Sequence, residues 1–259
     1  MNTRFWIHHF TQNAHITRRI TLTDEPCTLP DSIRLPLARS IAIFQLGESG
    51  GGTRLRAYAE KIAPLENFQG YLDAMDLFVA EEQGHARFLA KLLARLGGTP
   101  LKKQWTNSVF RSLRVLVNVE FNTQVLLTAE LIAEVYFGNL YLRVPDATVK
   151  QVTRKLLADE MKHLVFQRQF LSERLRSLSP PLRLLWHWQF ICVHRITTWV
   201  VSWDHADCLR AIGLTPRTFR HRAADAISHF SKKLWQSVEG LDPFEPEPYY
   251  PEGSLSRLE

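Results

Sequence analysis

Strand signals are nearly absent from this chain, and so are the cysteines that would staple it or ligate a structural zinc. Only Cys27, Cys192 and Cys208 occur in 259 residues. They follow no metal or redox spacing, which suits a reducing compartment and a cytoplasmic location. No uninterrupted apolar run reaches the ~18 residues that span a bilayer. The nearest, LLWHWQFICVHRITTWVVSW, is broken by His187, His194 and Arg195, so no transmembrane segment is expected. Acids are missing from the first twenty residues, which carry Arg4, Arg18 and Arg19 but no apolar signal-peptide centre. That stretch reads as an irregular N-terminal arm, with a composition that a transit peptide would share.

What is present is ordinary for a soluble globular protein: 45% apolar and 22% charged residues, with length for one large domain or two small ones. The net charge of +6 is unevenly spread. Residues 181–238 hold eight Lys or Arg against three Asp, and residues 239–259 hold six acids against one Arg. The basic run RTFRHR (Arg217 to Arg222) could meet phosphates. Such runs are more often solvated faces, and nucleic acid is not the expected partner.

Helical periodicity dominates, so the fold class is all-α. Gly and Pro breaks at Pro64, Gly97–Pro100, Pro145, Ser179–Pro181 and Gly213–Pro216 delimit helices near 33–63, 65–96, 106–143, 146–178, 181–212 and 216–238. The expected organisation is an arm over 1–32, a four-helix bundle over 33–178, two further helices packed on it over 179–238, and an acidic Pro-rich tail over 239–259 that is loosely ordered.

Two of these helices carry Glu-x-x-His: Glu82 to His85 in FVAEEQGHARFL and Glu160 to His163 in LLADEMKHLVFQ. Residues three apart share a helix face, so each pair can grip one ion. Both pairs fall on apolar stripes, the first with Met75, Phe78, Leu89 and Leu92, the second with Val152, Leu156, Gln167 and Phe170. Both therefore point at the core. Hairpin counting selects the partners. Glu130 and Glu160 are equidistant from Pro145, and Glu48 and Glu82 nearly so from Pro64, which favours Glu130 over Glu120. Glu134, one turn from Glu130, is a candidate extra or outer ligand. Any one of these residues alone would be an ordinary surface charge. Four carboxylates buried together without cations would be destabilised or take up protons. Two divalent cations balance four Glu, with neutral His adding nothing, and carboxylate with imidazole suits iron or manganese.

The pattern Glu48, Glu82-x-x-His85, Glu130, Glu160-x-x-His163 resembles the ferritin-like di-iron carboxylate superfamily. The stretches FQLGESGGG, FVAEEQGHARFL, LTAELIAEVYF and LLADEMKHLVFQ are similar to bacterial ferritin-like proteins of unassigned activity, over roughly residues 33 to 178. The resemblance implies a ferritin-like bundle holding two iron ions, with Fe/Mn or Mn/Mn as alternatives. Glu48 and the first Glu-x-x-His would hold one metal, Glu130 and the second the other, with Glu82 or Glu160 bridging.

Gly50, Gly51 and Gly52 interrupt the apolar period just after Glu48, each at roughly 0.8–1 kcal/mol relative to Ala inside a helix. Gly51 and Gly52 share the inward face with Glu48, so the missing side chains either leave a cavity for dioxygen or part of a substrate, the favoured reading, or let another helix approach closely. Gly47-x-x-x-x-Gly52 followed by Thr53 also resembles a phosphate loop, but it lacks the Lys and the preceding strand.

Three functions compete: an O2-dependent di-iron oxidase or oxygenase acting on a small apolar or aromatic metabolite, with Glu48, Glu82, Glu130 and Glu160 catalytic; a ferroxidase or iron-handling protein; and a metal-stabilised structural or interaction bundle. The first is favoured because the chain adds two helices with five of its seven Trp (Trp186, Trp188, Trp199, Trp203, Trp235). Those aromatics are read as a pocket wall, as core, or as a homodimer interface through the C-terminal helices. His187, His194 and His205 form a stripe of little weight as a second ligand set.

Overall fold

The computed structural model describes residues 1–23, 25–50, 52–104 and 119–241. Among them the chain is all-helical, with no strand. Its helices are α1 (Thr3–Arg18), α2 (Asp31–Glu48), α3 (Thr53–Ile62), a 3-10 turn (Glu66–Phe68), α4 (Tyr71–Arg95), α5 (Val119–Arg143), α6 (Ala147–Arg176), α7 (Pro180–Asp204), α8 (Ala206–Ala211) and α9 (Pro216–Glu239).

Local chemistry sets most of these boundaries. The Asp146 side chain accepts from the Val149 N–H and Thr215 from the Thr218 N–H, satisfying first-turn donors of α6 and α9. Pro180 and Pro216 stand in first turns, where a missing N–H costs nothing. Gly240 ends α9 in the left-handed conformation.

Helices α2, α4, α5 and α6 surround the core. The α5 and α6 helices form a hairpin, α2 lies along α4, α4 packs on α6, and Phe44 of α2 stacks on Tyr136 of α5 with centroids 4.2 Å apart. Register is readable from side-chain contacts. Arg95 bonds Asp146, His85 bonds Asp159 and His163 bonds Glu81, so α4 and α6 are antiparallel. Arg34 bonds the Leu96 carbonyl and Glu48 bonds Glu82, so α2 and α4 are antiparallel too. Outside this group, α9 packs on α6, α5 and α7, and α8 on α2.

Four expectations need correction. The span 179–238 holds three helices, not two, because α7 ends at Asp204 and the short α8 starts beyond the non-helical His205. Residues 3–18 are a helix, not an irregular arm. The Asn2 side chain caps α1 by accepting from the Phe5 N–H, and Trp6 and Phe10, four apart, are fully buried against Phe166. The span 33–63 is two helices, broken at residues 49–52. Because α3 continues antiparallel to α4, with Arg56 on Asp76, counting back from Pro64 still places Glu48 beside Glu82. Finally, among the described residues one segment is long and apolar enough by composition to cross a membrane: Thr123–Arg143 of α5, mostly buried inside the protein. It escapes a search for uninterrupted apolar runs because Glu130, Glu134 and Asn139 punctuate it. The first residues of the expected helix 106–143 and most of the tail lie outside the described residues.

Candidate metal centre

Two helices carry the core of the site, and their antiparallel register cross-links them. His85 of α4 and His163 of α6 are buried at 1% and 0% exposure, with ring centroids 5.5 Å apart. Each imidazole has two differently employed nitrogens. On the outer side, His85 Nε2 is 2.9 Å from Asp159 Oδ2, and His163 Nε2 is 2.9 Å from Glu81 Oε1. On the inner side, His85 Nδ1 lies 3.4 Å from Glu160 Oε1, and His163 Nδ1 lies 2.8 Å from Glu82 Oε1 and 3.4 Å from Glu160 Oε2.

The inner atoms are close but not aligned as hydrogen bonds. His85 Nδ1, His163 Nδ1, Glu82 Oε1, Glu160 Oε2 and both Glu130 carboxylate oxygens are buried without a hydrogen-bond partner. Buried polar groups in folded proteins are normally satisfied, so these six atoms on neighbouring buried residues require an explanation. Bound metal ions would supply it, and the geometry has room for them. Glu48, Glu82 and His85 place one ligand atom each within 4.8 Å of the others, and so do Glu82, Glu160 and His163. Glu82 belongs to both sets, the position a bridging carboxylate would hold. Glu130 completes neither triplet, but its buried carboxylate is within electrostatic reach of His163, Glu160, Glu82 and His85.

Electrostatics describes the same congestion. Burial and the neighbouring Glu82 hold Glu48 well above the ordinary carboxylate range, and the two share a hydrogen bond. Burial alone would raise Glu82 as well. The charge of His163, 2.8 Å away, the hydrogen bond of Glu48 and the charge of His85 outweigh it and bring Glu82 down to about 2. Burial pushes Glu130 up strongly. For His85 and His163, burial acts downward, but the surrounding carboxylates prevail and raise both well above the ordinary imidazole value. A group of carboxylates that must borrow protons to coexist is one that divalent ions would neutralise.

A third triplet, Glu81, His85 and Asp159, meets the same distance test. It is better suited to hold the imidazoles than a metal. Lys155 Nζ sits 2.5 Å from both Asp159 oxygens, and Asn13 of α1 donates to Glu81 at 2.7 Å and to Asp159 at 2.8 Å. Carboxylates behind ligating histidines fix ring orientation and increase ligand basicity. These four residues were not singled out in the sequence. A signal existed: an acid directly precedes both Glu-x-x-His motifs, as Glu81-Glu82 and Asp159-Glu160. Phe10 and Phe78 close the site from the side, their ring centroids 6.1 and 4.6 Å from that of His163.

Other expectations fare differently. Gly52 adopts φ +64°, and a Cβ there would lie 2.5 Å from Val79 Cγ1, so this glycine permits close approach of α4 and leaves no cavity. Gly51 and the side chain of Glu120 lie outside the described residues. Glu48 ends a helix and no strand precedes it, which removes the phosphate-loop alternative. Glu134 lines a small cleft with Arg168, His229 and Lys233, away from the ligand triplets. His187, His194 and His205 do not converge: His205 bonds Ser40, His194 is within 3.5 Å of the Thr198 hydroxyl, and His187 packs on Trp235. The aromatic pocket wall fails as well. Trp186 is buried, but Trp188, Trp199 and Trp203 point outward. Compared with known proteins, the chain matches no protein-family model and no curated protein.

Proposed function

We propose that this protein is an O2-dependent di-iron carboxylate oxidase or oxygenase of the ferritin-like type acting on a small organic substrate. One observation carries the reading: Glu48, Glu82 and His85, and again Glu82, Glu160 and His163, each gather three ligand atoms within 4.8 Å of one another, with the buried Glu130 carboxylate in electrostatic reach of both histidines. Two ferrous ions bound there would supply the electrons for dioxygen reduction. The chain's own residues do the rest. Glu81 and Asp159 hold the outer imidazole nitrogens, so that each Nδ1 faces inward. Glu48, half-buried and sharing a hydrogen bond with Glu82, can hold or release a proton at its carboxylate. Phe10, Phe78 and Phe166 exclude water on the α1 side, an environment compatible with an apolar substrate.

The test is metal analysis of the purified protein, followed by anaerobic iron loading and exposure to oxygen. Two metals per chain and rapid oxygen consumption are expected. Glu130→Ala should lower occupancy toward one. Two metals with no oxygen reaction would leave a metal-stabilised bundle, and iron oxidation that accumulates ferric mineral would assign an iron-handling role. Absence of any metal preference would refute the centre itself.

A further inference from the structure

The outward surface of α7 has no function in the metal centre, yet it is the most apolar exposed surface among the described residues. Leu184, Leu185, Trp188, Ile196, Trp199 and Trp203 are each 60–68% exposed. At 100° per residue they fall within an arc of about 120°. Cys192, half-buried, lies between them. The three Trp alone present on the order of 300–450 Å² of ring surface, against the few hundred Å² of the largest apolar patch on a typical monomer. The opposite face of α7 is committed. Trp186, Phe190, His194 and Thr197 are buried, and α5 and α9 pack on this helix.

We propose that α7 docks the protein on an anionic lipid surface, lying in the plane of the interface with its Trp–Leu face in the headgroup–acyl boundary. Charge complementarity selects this occupant. No acid occurs from Pro180 to Trp203, the only charge within the apolar arc is Arg195, and residues 181–238 carry a net +5, eight bases against three acids. A second copy packed through the same face would bury Arg195 against an arc without a carboxylate, since Asp204, the one acid of α7, lies outside that arc and accepts from Gln104. Such burial is costly in a dry interface. At a lipid surface the same guanidinium can extend to headgroup phosphates while its stem stays on the apolar face. Trp is the side chain suited to that boundary, since its ring is apolar and its N–H can remain wet. Because α7 is held along its other side by the bundle, it can lie on a bilayer but cannot insert across one.

The test uses the full chain with vesicles of phosphatidylcholine alone and vesicles containing about one-third phosphatidylglycerol. Co-sedimentation should be at least ~10-fold stronger on the anionic vesicles, fall with added salt, and shift Trp emission to the blue. The double variant Trp188→Ser/Trp199→Ser alters exposed side chains only. It should keep its helical circular dichroism and lose ~10-fold or more of that partitioning. Arg195→Glu should weaken binding to anionic vesicles. Equal binding to neutral vesicles, no binding to either, or full binding by the double variant would each overturn the proposal. So would a solution dimer that the double variant dissociates in the absence of vesicle binding, which would assign the face to a second copy.

Discussion

Replacing Asn13 by Ala tests whether the N-terminal helix is part of the metal centre or only covers the core. The Asn13 amide donates to Glu81 Oε2 at 2.7 Å and to Asp159 Oδ1 at 2.8 Å. Those carboxylates in turn hold Nε2 of His163 and His85, so one amide aligns both imidazoles. Hydrogen bonds to charged groups contribute about 1.5–3 kcal/mol each. The loss here is smaller than twice that, because Asn13 is half-buried, so water can replace it, and Lys155 remains on Asp159 at 2.5 Å. A net loss of about 2–3 kcal/mol follows, or roughly 4–12 °C at about 2–4 °C per kcal/mol for a protein near this size. Metal affinity should fall about 10–100-fold, the usual effect of removing a partner behind a ligating histidine. Thermal melts with and without metal, together with a Co(II) or Mn(II) titration, read both quantities. Equal destabilisation of the loaded and metal-free protein, with affinity unchanged, would show that Asn13 only anchors α1. No change in either quantity would refute the network.

Gly52→Ala forces a side chain into φ +64° and onto Val79, costing about 1–2 kcal/mol for the backbone and about 1–3 kcal/mol for overpacking; the melting temperature should drop, Val79→Ala should recover part of the loss in a double-mutant cycle, and a neutral Gly52→Ala would refute the close-approach reading. Stability of the metal-free protein should peak at mildly acidic pH. Glu48 and Glu130 have raised folded values, so their burial becomes increasingly unfavourable above the ordinary carboxylate value of 4.5. His85 and His163 are also raised, so their contribution is complete below 6.5 and is lost as pH climbs through their folded values. Glu82 is lowered, and its contribution disappears only as pH falls from 4.5 toward about 2. Metal loading should shift the optimum upward, and a metal-free melting curve that rises toward pH 8 would contradict the assignment.

The chain by itself determined the helical class, most helix ends and the inward direction of the two Glu-x-x-His pairs and Glu130. Two Glu-x-x-His pairs sit on apolar stripes, and a residue on such a stripe goes wherever its neighbours are buried, whatever its own polarity. Hairpin counting found Glu48 because α3 continues the direction of α2 beyond the break, and it favoured Glu130, which is buried within electrostatic reach of both histidines. Tertiary structure alone decided the rest. Asn13 is 146 residues from Asp159, and only the docking of Trp6 and Phe10 against Phe166 brings it there. The glycine after Glu48 signalled a special conformation in the sequence, but whether it opens space or permits contact depended on Val79, which belongs to another helix. Trp composition announced an aromatic surface. Which face of α7 packs on α5 and α9, and which is left facing outward, is a property of the assembled helices, because a helix apolar on both sides carries no local mark of the one that will be buried.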